Sequence, residues 1–409
     1  MKQVLHRLLC WMPALIAFLL PIHPRLSSLS LAIWSLVALA HIFSRGSWRL
    51  DSSIQKVNDR LFCWVSMGSV AYFVFLILGM LWTSDMKEGW FVLEVKFSFL
   101  LLPILFWQMQ YSGDAGWQNR AKTAFKWGLL CFLSWRILNA LWLKDWSLLR
   151  YDGFAGPFHP SYMAFYLVTG MLLSSIRDWK GIILFLLGGL SIGLLASKGG
   201  WTVGLLLIGL EVLRRLQKSK KEAYTLVLSA IFLLGGATWA DGGRLQEFQS
   251  YFAKSSPSVG KEKSSNLDGN EPISEMKTGS TGGRLQAWKA SVELISNHPF
   301  GVGTGDVSSA LGSIYDRDES NYALGKNMNP HSVWLQAGVR LGWFGMLGML
   351  IWLAGIAWLA LKSGNSTLMF WTVALMLNAT VESFFELQQG VVAVLFLALL
   401  FASGRSERH

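Results

Sequence analysis

The chain reads as an all-α, polytopic membrane protein, and three observations carry that reading. Of its 409 residues, 52% are hydrophobic and 15% charged, against about 25% charged in an average soluble domain. Apolar runs of about 18 to 22 residues recur along the whole chain, each long enough to cross roughly 30 Å of hydrocarbon as a helix. Basic residues, finally, collect in alternate connectors between those runs. Such a composition excludes a disordered chain and argues against a soluble enzyme.

About twelve transmembrane helices are expected, at 8–22, 26–43, 61–82, 91–107, 122–143, 161–176, 181–197, 200–213, 223–240, 340–361, 366–384 and 390–403. The first follows Lys2 and Arg7 but has no small-x-small cleavage pattern before Pro21, so it reads as a span rather than a signal peptide. Cys10, Cys63 and Cys131 all fall inside apolar runs, which argues against a disulfide framework or a zinc site. Walking the spans from a cytoplasmic N-terminus puts nineteen basic residues on one set of connectors, against five (Arg25, Lys87, Lys144, Arg150 and Lys198) on the short connectors of the other. The positive-inside rule then makes both termini cytoplasmic. It also accounts for the net charge of +11 without nucleic acid, leaving membrane lipids as the partner of the basic surface. Trp48, Trp82, Trp90, Trp107, Trp142, Trp146 and Trp179 sit near span ends, as interfacial anchors do. No internal repeat is visible, which weighs against a transporter built from inverted halves.

The chain reads as one membrane domain, 1–409, interrupted by a single long connector on the outer face, 241–330. Its middle, 254–281, is rich in Ser, Gly, Lys, Glu and Asn and reads as a mobile linker. Beyond it, Leu285, Trp288, Val292 and Ile295 recur at spacings of three and four. That period predicts an amphipathic helix from Arg284 to Ile295, ending before His298-Pro299 and lying at the outer membrane surface. Gly301-Val302-Gly303-Thr304-Gly305 follows a helix and a proline rather than a strand, so it reads as a turn and not as a nucleotide loop.

Ionisable residues inside spans are costly and mark sites or pathways. Glu94, Lys96, Arg136, Arg340 and Glu382 all fall in the outer halves of their spans on this topology, and the inner halves carry essentially none. A cavity open to one leaflet fits that pattern better than a path through the membrane. The structural alternative for three of them is a Glu94–Arg136 ion pair and a Lys96 that snorkels to the surface.

Three basic groups from separate parts of the chain meet this boundary: Lys198 in Ser197-Lys198-Gly199-Gly200, Arg284 after Gly282-Gly283, and His331 in Asn329-Pro330-His331-Ser332. Glycines permit close approach of a ligand, and two cations beside a helix N-terminus suit a diphosphate. A histidine of ordinary pKa near 6.5 can take a proton from a sugar hydroxyl, with capping or headgroup contact as the plainer role. Gln336 lies on a nearby face. Glu382 and Glu386, four apart, are expected on one helix face at the outer end of the eleventh span, to orient an acceptor, to help His331 or to form a structural pair. His159, in His159-Pro160-Ser161-Tyr162, ends an outer loop where it could line a cleft, and a buried Arg136 is a further supporting candidate.

These residues resemble the O-antigen ligase and polymerase superfamily of bacterial envelope polysaccharide synthesis. The resemblance is carried by GGRLQAWKASVELISNHPFGVGTGD at 282–306, by NPHSVWLQAGVRLGWFG at 329–345 and more loosely by SKGGW at 197–201, with HPSY at 159–162 and ESFFELQQG at 382–390 similar to elements of a Bacteroidota-type branch. It implies a GT-C-like helical fold in the inner membrane. It further implies inverting glycosyltransfer at the periplasmic face from an undecaprenyl-diphosphate-linked glycan, without cofactor, metal or ATP. The acceptor is lipid A-core in the ligases and another lipid-linked repeat unit in the polymerases; protein O-oligosaccharyltransferases are a third branch. By the same resemblance Arg284 binds the diphosphate and His331 is catalytic. Lys198 stands where the family usually has arginine, which keeps the charge and loses the bidentate fork. A flippase or exporter for the lipid-linked glycan is the alternative from another class, and it predicts polar groups through the full depth of the membrane. A purely structural scaffold is the bland alternative, and it gives no reason for a buried Arg136 or for charge at a single leaflet.

Overall fold

The computed structural model describes residues 2–45, 60–174, 179–215, 219–240 and 280–403, and the regular elements among them are all helical. In chain order these are α1 (Lys2–Leu19), α2 (Pro24–Arg45), α3 (Arg60–Gly79), α4 (Met86–Lys96), α5 (Ser98–Gln110), α6 (Trp117–Leu143), α7 (Tyr151–Ala155), α8 (Pro160–Leu172), α9 (Trp179–Leu194), α10 (Lys198–Arg215), α11 (Lys220–Ala240), α12 (Ser280–Asn297), α13 (Val307–Arg317), α14 (Asn321–Gly325), α15 (Val333–Lys362), α16 (Ser366–Ala379) and α17 (Gln388–Ala402). Each expected span falls on one of them or, for 91–107, on the consecutive pair α4 and α5. Five stretches are long and apolar enough to cross a membrane: Pro24–Ser44, Arg60–Trp82, Met86–Gln110, Glu222–Ala240 and Val333–Lys362. Gly181–Leu194, Ser366–Ala379 and Gln388–Ala402 are shorter apolar helices.

Helix α17 forms the centre. Every residue from Gly390 to Ala402 is buried, and α2, α3, α5 and α16 pack around it, as an element apolar on all sides requires. The outside of the bundle is apolar as well: Leu36 is 66%, Met67 72% and Trp142 86% exposed. An apolar exterior of this extent needs lipid rather than water. Of the tryptophans expected at interfaces, Trp82, Trp90, Trp107, Trp142, Trp146 and Trp179 are exposed, and Trp48 lies outside the described residues.

Residues 280–328 build a small second core. Ala287, Ala290, Leu294 and Ile295 of α12 meet Val307, Leu311, Ile314 and Tyr315 of α13, Ala323 of α14 and Val339 of α15. The expected mobile stretch 254–281 lies outside the described residues up to 279.

A staple joins this insert to the bundle. Helix α15 breaks at Leu341 and Gly342, where Gly342 has φ +65°, and the 299–305 turn occupies the break. Val302 N donates to Val339 O at 2.9 Å, Gly303 N to Arg340 O at 3.1 Å, and Trp343 N back to Pro299 O at 3.0 Å. Carbonyls and amides orphaned by the kink are thereby satisfied. Thr304 reaches the other way, its hydroxyl donating to Leu76 O at 2.7 Å. The Asp306 carboxylate accepts from Ser84 N and Asp85 N at 2.6 and 2.7 Å, while Asp85 caps α4 through Glu88 N at 3.0 Å. The glycine-rich segment is a turn, as its sequence context indicates, and its work is structural.

Four expectations are corrected. Helix α16 ends at Ala379 rather than 384, and a turn with a 3-10 segment, Phe384–Glu386, follows; Glu382 and Glu386 therefore share no helix face. Helix α12 begins at Ser280, so Arg284 sits in its second turn and not at its opening. On α12 the buried face is Ala287, Ala290, Ser291, Leu294 and Ile295, whereas Leu285 and Val292 are exposed. Small side chains win there because the contact is close: a Cβ at Gly338 of α15 would meet Ile295 Cδ1 at 2.6 Å. Finally, the outer-half restriction of charge is incomplete, since Glu211, in the last two turns of α10, is 8% exposed.

Candidate active site

Two buried ionic clusters stand side by side on the 380–387 turn, one on each glutamate. Glu382 Oε1 accepts from Arg284 Nη2 at 2.9 Å and from Ser161 Oγ at 2.9 Å. Ser161 opens α8 just after Pro160, which suits the first helical position. Its hydroxyl lies 3.2 Å from Ser197 Oγ, and Ser197 Oγ accepts from Gly200 N at 3.2 Å, capping α10. Three elements far apart in the chain, α8, α10 and α12, are thus tied together at one carboxylate.

His331 faces this first cluster. Its backbone is in the left-handed region, φ +45°, which costs a non-glycine residue energy and is found where surroundings impose it. The constraint is visible: His331 N donates to Asn329 Oδ1 at 2.9 Å, Pro330 stands between, and Val333 starts α15 two residues on. Burial, the Arg284 guanidinium and His159 push the imidazole pKa below its ordinary 6.5, with the Glu382 carboxylate opposing them. The ring is therefore neutral at physiological pH and carries a free lone pair. His159, half-buried at the start of α8, also accepts from Ser161 N at 3.4 Å.

Lys198 is the first residue of α10, next to Ser197 and half-buried. Gly199 makes room for α16: a Cβ there would lie 2.8 Å from Asn378 Oδ1. The Asn378 side chain is 1% exposed, and both of its amide atoms lack a hydrogen-bond partner among the described residues.

The second cluster centres on Glu386. Arg340 donates to both of its oxygens, at 2.9 and 2.8 Å, Lys96 Nζ to Oε1 at 2.9 Å and Gln336 Nε2 to Oε2 at 3.0 Å. Lys96 Nζ also donates to Phe385 O at 2.7 Å. Lys96 and Arg340 are 1% and 2% exposed, so Lys96 does not snorkel. Nor does Arg136 pair with Glu94: its guanidinium binds the Gly153 carbonyl, holding the 145–159 loop, and Glu94 is exposed.

Of the residues singled out by sequence, the structure brings Arg284, Glu382, His159 and His331 into one cluster, with Lys198 beside its serine chain. Glu386 and Gln336 fall in the neighbouring cluster, and Arg136 in neither. Ser161 and Ser197 were missed as participants. Their only sequence signal was adjacency to His159 and Lys198, because a hydroxyl announces no partner until the fold supplies one.

Residues 183–350 match the model of a family described as O-antigen ligase. No curated protein matches the chain. The matched stretch contains Lys198, Arg284 and His331 and ends just beyond the α15 kink, and enzymes of that family act as glycosyltransferases on lipid-linked glycans. An all-helical membrane bundle, a cationic cluster and this match agree: over residues 183–350 the chain is similar to the O-antigen ligase family.

Proposed function

We propose that the protein is an O-antigen ligase-type glycosyltransferase of the bacterial inner membrane. On this reading it moves a glycan from undecaprenyl diphosphate to lipid A-core at the periplasmic face, with both termini in the cytoplasm and 241–330 as the periplasmic insert. The observation that carries the proposal is a neutral, constrained His331 beside a partly exposed Arg284. His331 takes the proton of the acceptor hydroxyl, a step worth roughly 10²–10⁴ in rate. The oxygen attacks the anomeric carbon from the face opposite the diphosphate, the carbon–oxygen bond to phosphate breaks, and undecaprenyl diphosphate leaves with the electron pair. Arg284 and Lys198 hold the developing negative charge, preorganised cations being most effective in a site of low dielectric. His159 lines the acceptor side. Glu386, Gln336 and Arg136 support the frame: the first two fix the 380–387 turn that carries Glu382, and the third holds the 145–159 loop.

The test is glycan transfer by His331→Ala and Arg284→Ala in a strain lacking the native protein, at matched membrane levels. Loss of capped lipopolysaccharide with accumulation of lipid-linked glycan is expected. Wild-type capping by both variants would remove these residues as the site and favour a flippase. Formation of longer lipid-linked chains alone, from purified lipid A-core and donor, would make the protein a polymerase.

A further inference from the structure

The guanidinium assigned to the diphosphate is already in use. Arg284 Nη2 donates to Glu382 Oε1 at 2.9 Å, and that oxygen is held independently by Ser161 Oγ at 2.9 Å. Exposure divides the two partners unequally. Glu382 is 6%, Ser161 4% and Ser197 6% exposed, whereas the Arg284 side chain is 31% exposed. The carboxylate is anchored on the protein side through two serines to the N-terminus of α10, and the guanidinium is the member that solvent and ligand can reach.

A diphosphate and Glu382 are like charges competing for one fork, and a nearly buried carboxylate that loses its cation needs a replacement. His331 supplies one. It lies within the electrostatic reach of Glu382, and it becomes an imidazolium at the step in which it takes the acceptor's proton. We propose that Glu382 is a displaceable counterion: it holds Arg284 until the donor diphosphate takes the guanidinium, and then, still anchored by Ser161, it stabilises the His331 imidazolium. No proton or bond is added to the chemistry. Glu382 remains a carboxylate throughout, and what changes is the cation it faces. The inference rests on the diphosphate role of Arg284 and assigns Glu382 as a positioning residue that makes donor binding a precondition for stabilising the protonated base.

A structural pair and a displaceable one predict opposite effects. The experiment is binding of undecaprenyl diphosphate to the purified full chain in lipid nanodiscs, with glycan transfer measured in parallel. Glu382→Gln keeps the shape and an acceptor for Ser161 but removes the competing charge. It is expected to tighten the diphosphate Kd roughly three- to ten-fold while kcat falls at least ten-fold, and the tightening should vanish in an Arg284→Gln background. An unchanged or weaker Kd in Glu382→Gln, at a wild-type unfolding temperature, overturns the proposal, as does equal tightening with and without Arg284. Equal binding by wild type and Arg284→Gln would instead overturn the diphosphate assignment itself. Where Glu382→Gln does not fold, Ser161→Ala serves: it leaves the charges and loosens the anchor, so kcat should fall with Kd unchanged, and parallel changes in both count against the idea.

Discussion

Arg340 grips Glu386 with both arms of its guanidinium, Nη1 to Oε1 at 2.9 Å and Nη2 to Oε2 at 2.8 Å. Lys96 completes the cluster, so one carboxylate balances two nearly buried cations. Replacing it is the severe change: Glu386→Gln strands both charges and should cost roughly 3–5 kcal/mol, read as a fall in unfolding free energy in mixed micelles. Replacing all three by apolar residues should recover most of that loss. A triple variant as unstable as Glu386→Gln would mean that the cluster contributes more than charge balance.

His331 must be neutral to accept a proton, and its pKa lies below the ordinary 6.5. Transfer should therefore be constant near neutrality and fall as acidification carries the ring through that lowered pKa. Arg284→Gln removes a positive charge that disfavours the imidazolium, so the His331 titration should move to higher pH. An NMR titration of the imidazole measures this without turnover, and a downward movement would contradict the placement of the two residues.

Gly342 takes φ +65°, and a Cβ there would run into the Pro299 carbonyl. Gly342→Ala should cost roughly 1–3 kcal/mol from backbone strain, more where the 299–305 turn is pushed out of the α15 break. An unfolding temperature equal to wild type would show that this staple is dispensable.

Lys198 begins α10 beside the capping residue Ser197, whose hydroxyl joins the chain that leads to Glu382. Lys198→Ala should raise the donor KM roughly ten-fold or more, the value of a hydrogen bond to a charged group, with a smaller effect on kcat. Lys198→Arg should restore the KM. Steady-state kinetics with purified donor decides it, and a pure kcat defect would place Lys198 with the base instead.

Much of this was legible in the sequence for a physical reason. Long apolar runs have few fates other than helices, and His331, Arg284 and Lys198 stand beside Gly, Pro or Asn residues that declare themselves. What was not legible depends on partners. The run from Ser366 to Gln389 contains no Gly or Pro to mark an end, yet α16 stops at Ala379 because Glu382 and Glu386 are each drawn to cations on other helices. The close face of α12 is likewise hidden, since Ala287 and Ala290 carry no periodic signal against Leu285 and Val292. Their burial is decided by how near α15 and α13 come.

The burial of α17 has a consequence for how the molecule is made. It follows the other sixteen described helices in the chain and occupies their centre, touching little lipid once in place. The earlier helices can enter the bilayer one by one, but they have no finished interior to close on until this segment reaches them. Assembly should therefore end in a single late closure, with the preceding helices held as a loose ring. Until then Phe106 and Trp371, both fully buried in the finished bundle, lack their α17 partners Phe396 and Phe401 and face lipid or a chaperone instead.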